Sequence, residues 1–463
     1  MIVKRSEIGS EDLFYYQNGD EYITSASLKD LLDDHKIPAI IDNEALETYL
    51  SFGYHPGSKT LIKGVNKLRP GTQIDTKSGK IEDFFPLDED NEPQKDVRTY
   101  ARNIREQLTN AIESELSGVG DDEDIALFLT EGIDSLATIW ILKNVFGKKV
   151  RIFYPVYDGE KFDNKNIVDK TLDELGVTAE PIYIKAQDAL DLMPEYVHTM
   201  NDCSSNPDIF NTLLLAKKIP PEIKHVFSAF GADHLLGGTM FYLFLRDAEM
   251  YRHIYNLKEN SEKRVLRFVS FLDDFTFTEK KRLCGVIKNN SMIEYLMPFF
   301  EKGDDILDQS VKWMLQGYIP NVLLSRNNVA QNYGFNFHSP FLKTDFVEFL
   351  VKIPSQIKVY GDVNKFLLNE AFKDVIFPKM IKSYTPDFHV PLWKWMQTDS
   401  WKDYIETTLS DSDYFEYSFL EPIIQSNCAG KEDSSLKLIY LLSFELWLRE
   451  IKTRCYPKFI GKK

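Results

Sequence analysis

From Val97 onward the chain alternates between two hydrophobic periods. VRTYARNIREQLTNAIESELSGVG places apolar residues at helical spacing, and the DIALFLT run that follows is short, apolar and of strand length. The pairing then repeats: DSLATIWILKNVFG is helical, KKVRIFYPVY a strand, NKNIVDKTLDELG a helix, AEPIYIK a strand, AQDALDLMPEYVHTMND a helix and IKHVFSAFG a strand. Strands and helices alternating at this pace need crossover connections. The pattern therefore predicts an α/β fold with a parallel, doubly wound sheet covered by helices on both faces. Ligands of such sheets sit at the carboxyl ends of the strands, near the point where strand order reverses. Beyond about Gly238 the strand signals fade and the chain is predicted to be helical to its end.

The first 87 residues are patterned differently. LFYYQNGDEYITSAS contains two β-prone runs around Asn18-Gly19-Asp20, a hairpin signal. SLKDLLDDHK and DNEALETYLSFG read as helices, the second opened by an Asp/Asn cap, and LIKGVNKLRPGTQIDTKSG reads as a second hairpin. DEDNEPQKD is charged and poor in apolar residues. The expected organisation is a small α+β unit over 1–87, a linker over 88–96 and the main domain over 97–463.

Composition narrows the classes of partner. A chain of 463 residues, 43% hydrophobic and 27% charged, can form two cores. Its formal charge of −16 repels phosphate backbones and acidic membrane surfaces, so neither nucleic acid nor membrane is expected as a partner. MIVKRSEIGSED leads into no apolar stretch, and the most apolar windows, 241–245 and 439–448, are too short to span a bilayer. Cys203, Cys284, Cys428 and Cys455 lack metal-ligand spacing and are too few for a disulfide scaffold, which suits a reducing cytoplasm.

Candidate chemistry begins where the DIALFLT strand ends, at Leu129-Thr130-Glu131-Gly132-Ile133-Asp134-Ser135. A strand that passes through a short glycine turn into a helix aims backbone N–H groups at one point, which the helix dipole makes positive. The hydroxyls of Thr130 and Ser135 add donors, Gly132 admits close approach of a phosphate, and Asp134 suits Mg²⁺. Glu131 opposes this, since a carboxylate within about 4–6 Å of a triphosphate repels it unless a cation stands between. The hexapeptide by itself equally fits a ligand-free strand-to-helix junction. A second segment, His225 to Gly238, repeats the design with Ser228 and Gly231 in the turn and Asp233 where a second metal ligand is needed. There the competing reading is a helix cap at Asp233 with packing glycines.

These two segments and three others resemble the asparagine synthetase family and its relatives that form amides, lactams or macrocyclic peptides. The family loop Ser-Gly-Gly-x-Asp-Ser is matched at Gly132, Asp134 and Ser135, with Thr130 a conservative replacement. The block Ser-Gly-Glu-Gly-x-Asp-Glu, followed by Gly-Gly, is matched at Ser228, Gly231, Asp233, Gly237 and Gly238. Ser339-Pro340-Phe341-Leu342 is similar to Val-Pro-Phe-Leu-Asp, and Phe388-His389-Val390-Pro391-Leu392 with Trp395 to Gly-Phe-x-x-Pro-Leu-x-x-Trp. Leu50 to Gly57, Ile62 to Val65 and Leu68 to Gly71 resemble the closing portion of the family's amino-terminal glutaminase.

The resemblance implies a sheet of the adenine-nucleotide alpha hydrolase (PP-loop ATP pyrophosphatase) type with a helical carboxy-terminal part, preceded by a remnant of an Ntn glutaminase. It implies ATP and Mg²⁺ as cofactors, with Leu129, Thr130, Gly132, Asp134, Ser135, Ser228 and Gly231 on the nucleotide and Asp134 and Asp233 on the metal. In such enzymes the substrate carboxylate attacks the α-phosphorus and a nitrogen nucleophile then displaces AMP, so what is required is a held and neutralised pyrophosphate.

Several positions depart from the family. Its glutaminase uses a Cys directly after the initiator Met, where this chain has Ile2, and the sequence begins about halfway through that domain. The expectation is a chain without glutaminase activity of its own, supplied by ammonia, by an amine of the substrate or by a separate glutaminase. Glu131 replaces the middle Gly of the loop, and Phe230 replaces a Glu or Tyr that assists proton transfer. Asn336 and His338 replace an acid and an Arg before Pro-Phe-Leu, and the family's catalytic Lys falls on Thr385, leaving Lys382 as its stand-in. His234 or His338 would have to carry the proton instead. Two readings follow. One is a carboxylate–amine ligase acting on a small-molecule or peptide carboxylate, asparagine being one candidate product; the other is an inactive relative with a binding or regulatory role. A homodimer is the oligomer carried as an expectation.

Overall fold

The computed structural model describes all residues except 86–95, 121–122, 130–131, 158–171, 174–175, 256–259, 286–290, 301–304, 362, 377–389 and 456–463. Its strands are β1 (Ile2–Lys4), β2 (Phe14–Asn18), β3 (Glu21–Ser25), β4 (Val65–Lys67), β5 (Thr72–Asp75), β6 (Ile81–Asp83), β7 (Ile125–Phe128), β8 (Val150–Tyr157), β9 (Ala179–Ile184), β10 (His225–Phe227) and β11 (Asn336–His338). They form two antiparallel three-stranded sheets, β1-β5-β6 and β3-β2-β4, and one parallel five-stranded sheet ordered β11-β10-β7-β8-β9.

The first hairpin forms as its turn residues dictate: β2 and β3 pair in a register that sets Asn18 opposite Glu21, and Gly19 takes φ +64°. The helices α1 (Leu28–Asp34) and α2 (Asn43–Phe52) begin at Ser27 and Asp42, whose side chains accept from the first-turn N–H groups, and α2 stops at Gly53 in the left-handed region. The second expected hairpin does not form. β4 joins β2 while β5 joins β1 and β6, because Arg69-Pro70-Gly71 turns the chain away behind the buried Leu68 before a ladder can start, with Gly71 at φ +68°.

Asp96 caps the long helix α3 (Val97–Leu116), whose buried residues Tyr100, Ile104, Leu108, Ala111 and Ile112 recur at helical spacing. Strand β7 then leads to α4 (Ile133–Trp140), which continues as a π-helical turn over Ile141–Val145. Most of the expected linker 88–96 and of the expected helix NKNIVDKTLDELG lies outside the described residues. The single helix expected from Ala186 is two, Ala186–Asp191 and Met193–Thr199, because Pro194 is tolerated at the start of a helix and not within one. The strand β11 was hidden in a region read as wholly helical. Only three residues long and without a β-branched residue, it is a strand because it pairs with β10, His225 opposite Asn336 and Phe227 opposite His338.

One core packs on each face of the parallel sheet. Ile125, Leu127 and Phe227 face the α3 side, while Phe128, Phe153 and Val226 face the other. That second core is continuous with Phe14, Leu28 and Leu46 of the amino-terminal region and with Trp447 and Leu448 of the last long helix, Ser435–Cys455. Tyr49 fastens the seam by donating to the Tyr440 carbonyl at 2.7 Å.

Candidate functional site

The crossovers leave β7 in both directions, to β8 and β9 on one side and to β10 and β11 on the other, so the switch point lies between β7 and β10. A cavity of about 220 Å³ opens there. Leu129, Asp134, Ser135, Ser228 and Asp233 line one part of it; Phe230, His234, Tyr318, Arg326 and Phe337 line another. Sequence-predicted residues from two loops nearly a hundred positions apart are thereby brought together.

Each is held for a local reason. Leu129 extends β7, donating to the Phe153 carbonyl at 2.9 Å. Gly132 caps α4, and a Cβ there would fall on Asp134 Oδ1, so only glycine lets that carboxylate fold back over the helix start. Ser135 is buried in the first turn of α4. After β10, the Ser228 N–H donates to the His338 carbonyl at 2.9 Å, and its hydroxyl accepts from the Phe230 N–H at 3.2 Å. Gly231, at φ +100°, does not line the cavity; it makes the turn into the short helix Ala232–Leu236, where a Cβ would meet Leu342 at 2.5 Å. Asp233 lies just inside that helix, which Gly231 and not Asp233 caps. Thr130, Glu131, Thr385 and Lys382 lie outside the described residues.

Between Asp134 and Asp233 stands a residue that the sequence reading passed over. Lys365 Nζ donates to Asp134 Oδ1 at 2.7 Å and pairs with Asp233 Oδ1 at 2.6 Å. Its backbone sits at φ +51°, a conformation that costs an ordinary side chain about 1–3 kcal/mol and persists where the surroundings enforce it. The surroundings here are the Gly237-Gly238 pair: the Lys365 N–H donates to the Gly237 carbonyl at 3.3 Å, Asn364 Nδ2 donates to the Gly238 carbonyl at 3.1 Å, and a Cβ on Gly238 would occupy the space of Lys365 Cε. The glycine pair was the available signal, since it demands something passing close by; which residue passes could not be read from it.

Burial raises the Asp134 carboxyl above its ordinary range even though Lys365 pulls the other way, and Asp233 adds to the rise. Asp233 is 37% exposed, and against burial the Lys365 charge and hydrogen bond hold it below the usual range. The ammonium is held well above its ordinary value by the two carboxylates, which outweigh burial. The donor set fits a hard cation: two convergent carboxylates already share one positive charge, and Mg²⁺ uses one or two carboxylates completed by phosphate oxygens. Among the described residues, no group of three or more His, Cys, Asp or Glu side chains is placed to hold a metal unaided.

His234 lies between the Tyr318 ring, at 4.8 Å, and the edge of Phe230, at 5.6 Å, and its buried Nδ1 has no hydrogen-bond partner. Burial lowers its pKa to about 4, so the ring is neutral near pH 7. His338 points to the opposite face of the sheet, toward Glu115 at 2.7 Å and His225 at 2.9 Å, and is not on the cavity wall. The strand alternation that carries Phe337 to the cavity carries His338 away, which removes His338 as a proton carrier there. Asn336 opens β11 at the exposed amino end of the strand.

Residues 103–449 match the family model for asparagine synthase, and residues 1–85 match the glutamine amidotransferase domain. The chain is 22% identical over 476 residues to asparagine synthetase (glutamine-hydrolyzing) 1 of Bacillus subtilis strain 168, covering 96% of this chain and 74% of the relative. It is 20% identical over 494 residues to a putative asparagine synthetase of Mycobacterium bovis, with the same coverage. A putative asparagine synthetase of Methanocaldococcus jannaschii is 23% identical over 249 residues, 52% of this chain and 48% of that protein. The family model takes in three quarters of the chain and every described element of the switch-point cavity, and the chain belongs to the asparagine synthase family.

Proposed function

We propose that this protein is an ATP- and Mg²⁺-dependent carboxylate–amine ligase that works through an acyl-adenylate and releases AMP and pyrophosphate, without glutaminase activity of its own. One observation carries the reading: Asp134 and Asp233, from the loops after adjacent strands, converge on a single cation at the switch point. In this reading residues 97–463 are the PP-loop type ATP-binding domain, 88–96 the linker and 1–87 the glutaminase remnant. The amidotransferase-like stretch 1–85 contains no cysteine, the residue type whose thiol family members use on glutamine.

Asp134 and Asp233 would hold Mg²⁺, which neutralises the leaving pyrophosphate when bound. Ser135, Ser228 and the amino end of α4 supply donors to anionic oxygens along the same wall. Lys365 keeps the carboxylates paired and is positioned to transfer its charge to an arriving phosphate. Phe230 cannot move a proton, and the neutral His234 is the imidazole on the cavity wall among the described residues, so proton acceptance from the amine is assigned to it. A role for Lys382 is retained from the resemblance alone.

The test is Mg²⁺·ATP binding followed by pyrophosphate exchange over a panel of carboxylic acids. Exchange dependent on one acid and lost in Asp134→Ala supports the ligase; no ATP binding at about millimolar concentration would sink it. Phe230, standing where relatives carry a proton-transfer group, favours the second reading of a binding or regulatory relative. That reading gains if ATP binds and no acid in the panel supports exchange.

A further inference from the structure

Lys365 is clamped along its backbone. Its N–H donates to the Gly237 carbonyl at 3.3 Å, and its own carbonyl accepts from the Asn369 N–H at 2.9 Å and from Asn369 Nδ2 at 3.2 Å. Asn364 Nδ2 ties the preceding residue to the Gly238 carbonyl. Gly238 in turn backs both members of one ion pair: a Cβ there would fall 2.1 Å from Asp233 Oδ1 and 2.2 Å from Lys365 Cε. Only a residue without a side chain lets the lysine stem pass beside that carboxylate. A left-handed backbone, a glycine pair and two asparagine amides thus combine to set one ammonium in place.

That ammonium fills the space between the two carboxylates. It lies 2.7 Å from Asp134 Oδ1 and 2.6 Å from Asp233 Oδ1, whereas Mg²⁺ takes oxygen ligands at about 2.0–2.1 Å. An ion bridging the same two oxygens would overlap Nζ, so one cation excludes the other by size and by charge. The side chains of Lys365 and Asp134 are 11% and 4% exposed, and water would compensate neither if they were parted. A free divalent cation has to evict this buried ammonium and strand it. A cation arriving on a triphosphate does not, because phosphate oxygens accept from the displaced ammonium.

Resting on the ligase reading above, we propose that Lys365 is an internal placeholder for the metal: it keeps free divalent cations off Asp134 and Asp233 and yields the pair only to a cation that arrives with nucleotide. Lys365 acts through the two carboxylates and is a positioning residue. It holds them converged while no nucleotide is bound, when their mutual repulsion would otherwise part them. Metal loading and nucleotide loading are thereby one event.

The experiment is calorimetric titration of the full chain with Mg²⁺ alone, together with its melting temperature with and without Mg²⁺ at matched ionic strength, for the unaltered protein, Lys365→Met and Lys365→Gln. The unaltered protein shows no Mg²⁺-dependent rise in melting temperature. Both neutral variants bind Mg²⁺ at least about tenfold more tightly than it does, and Mg²⁺ raises their melting temperature. Asp134→Asn added to Lys365→Gln abolishes both gains, which puts the ion on the carboxylate pair. The proposal is overturned if the neutral variants gain less than about tenfold, or if Mg²⁺ alone raises the melting temperature of the unaltered protein, a reading that needs no variant to fold. Mg²⁺·ATP is titrated separately: it raises the melting temperature of the unaltered protein where Mg²⁺ alone does not. Absence of Mg²⁺·ATP binding strikes the ligase reading, whereas equal affinity of the unaltered protein and the neutral variants for free Mg²⁺ strikes this one.

Discussion

Two ionisable clusters lie near β10, one against α3 and one at the cavity beyond the strand's carboxyl end. On the α3 side, Glu115 bonds His338 at 2.7 Å, His338 bonds His225 at 2.9 Å, and His225 lies 3.4 Å from Glu123. The rings of His225 and His338 stack, and His338 stacks on Phe227 at 4.6 Å. Against burial, His338 and then Lys343 hold Glu115 below the usual carboxylate range, and burial followed by His338 lowers His225. At the cavity, by contrast, Lys365 balances two carboxylates with one charge, Arg326 has no ion-pair partner among the described residues, and His234 Nδ1 is unsatisfied. The first cluster is closed and the second is not. Buried polar groups that find partners inside the fold act as structure, whereas those left short are where a ligand completes the accounting.

The contrast breaks first at Asp134. Asp134→Ala lowers pyrophosphate exchange by about a hundredfold or more, while Glu115→Gln, in the closed cluster, leaves exchange within about threefold and lowers the melting temperature; equal losses of exchange would erase the distinction. Next comes Lys365→Met, which strands two carboxylates and should destabilise the apo protein by about 3–5 kcal/mol. Added Mg²⁺ restores part of that melting temperature, and a variant indifferent to Mg²⁺ would argue against the pair as a metal site.

Acid titration gives a smaller effect. His234 and His55 have pKa values lowered to about 4 and about 3 by burial, from 6.5. The unfolded chain takes up these protons at a pH where the fold refuses them, so their contribution is complete above pH 6.5 and is lost as pH falls toward 4 and 3. His234→Phe should flatten the melting-temperature profile between those limits, and an unchanged slope would mean that His234 is not held neutral. The smallest shift is expected from Glu131→Gly, which tightens ATP by about three- to tenfold if that carboxylate opposes the phosphates, as equilibrium titration would show.

Much of this was legible in the chain itself. The alternation of periods after Val97 predicted β7 to β10 and the parallel sheet, and the turn at Asn18-Gly19-Asp20 predicted the β2–β3 hairpin. Asp134 and Asp233 were singled out together as acidic residues in the turns that follow two strands, and both line one cavity. Such features are local, set by residue spacing and backbone sterics within about a dozen positions. The failures were equally physical: β11 is too short to have a period, and Pro70-Gly71 sends β4 and β5 to different sheets.

What the tertiary structure alone decided is the pairing of distant charges. Lys365 meets Asp134 across 231 positions, Arg326 of the helix Tyr318–Tyr333 meets Phe230 of a turn distant in sequence, and His338 turns toward Glu115 because one residue of strand register points Phe337 to the cavity and His338 away. β11 and the position of the switch point came from strand pairing, while the sequence by itself determined β7 to β10 and the two carboxylates that follow two of those strands. Which cation they would share, and which would be left for a ligand, depends on long-range packing, because a charge carries no periodicity that announces its partner.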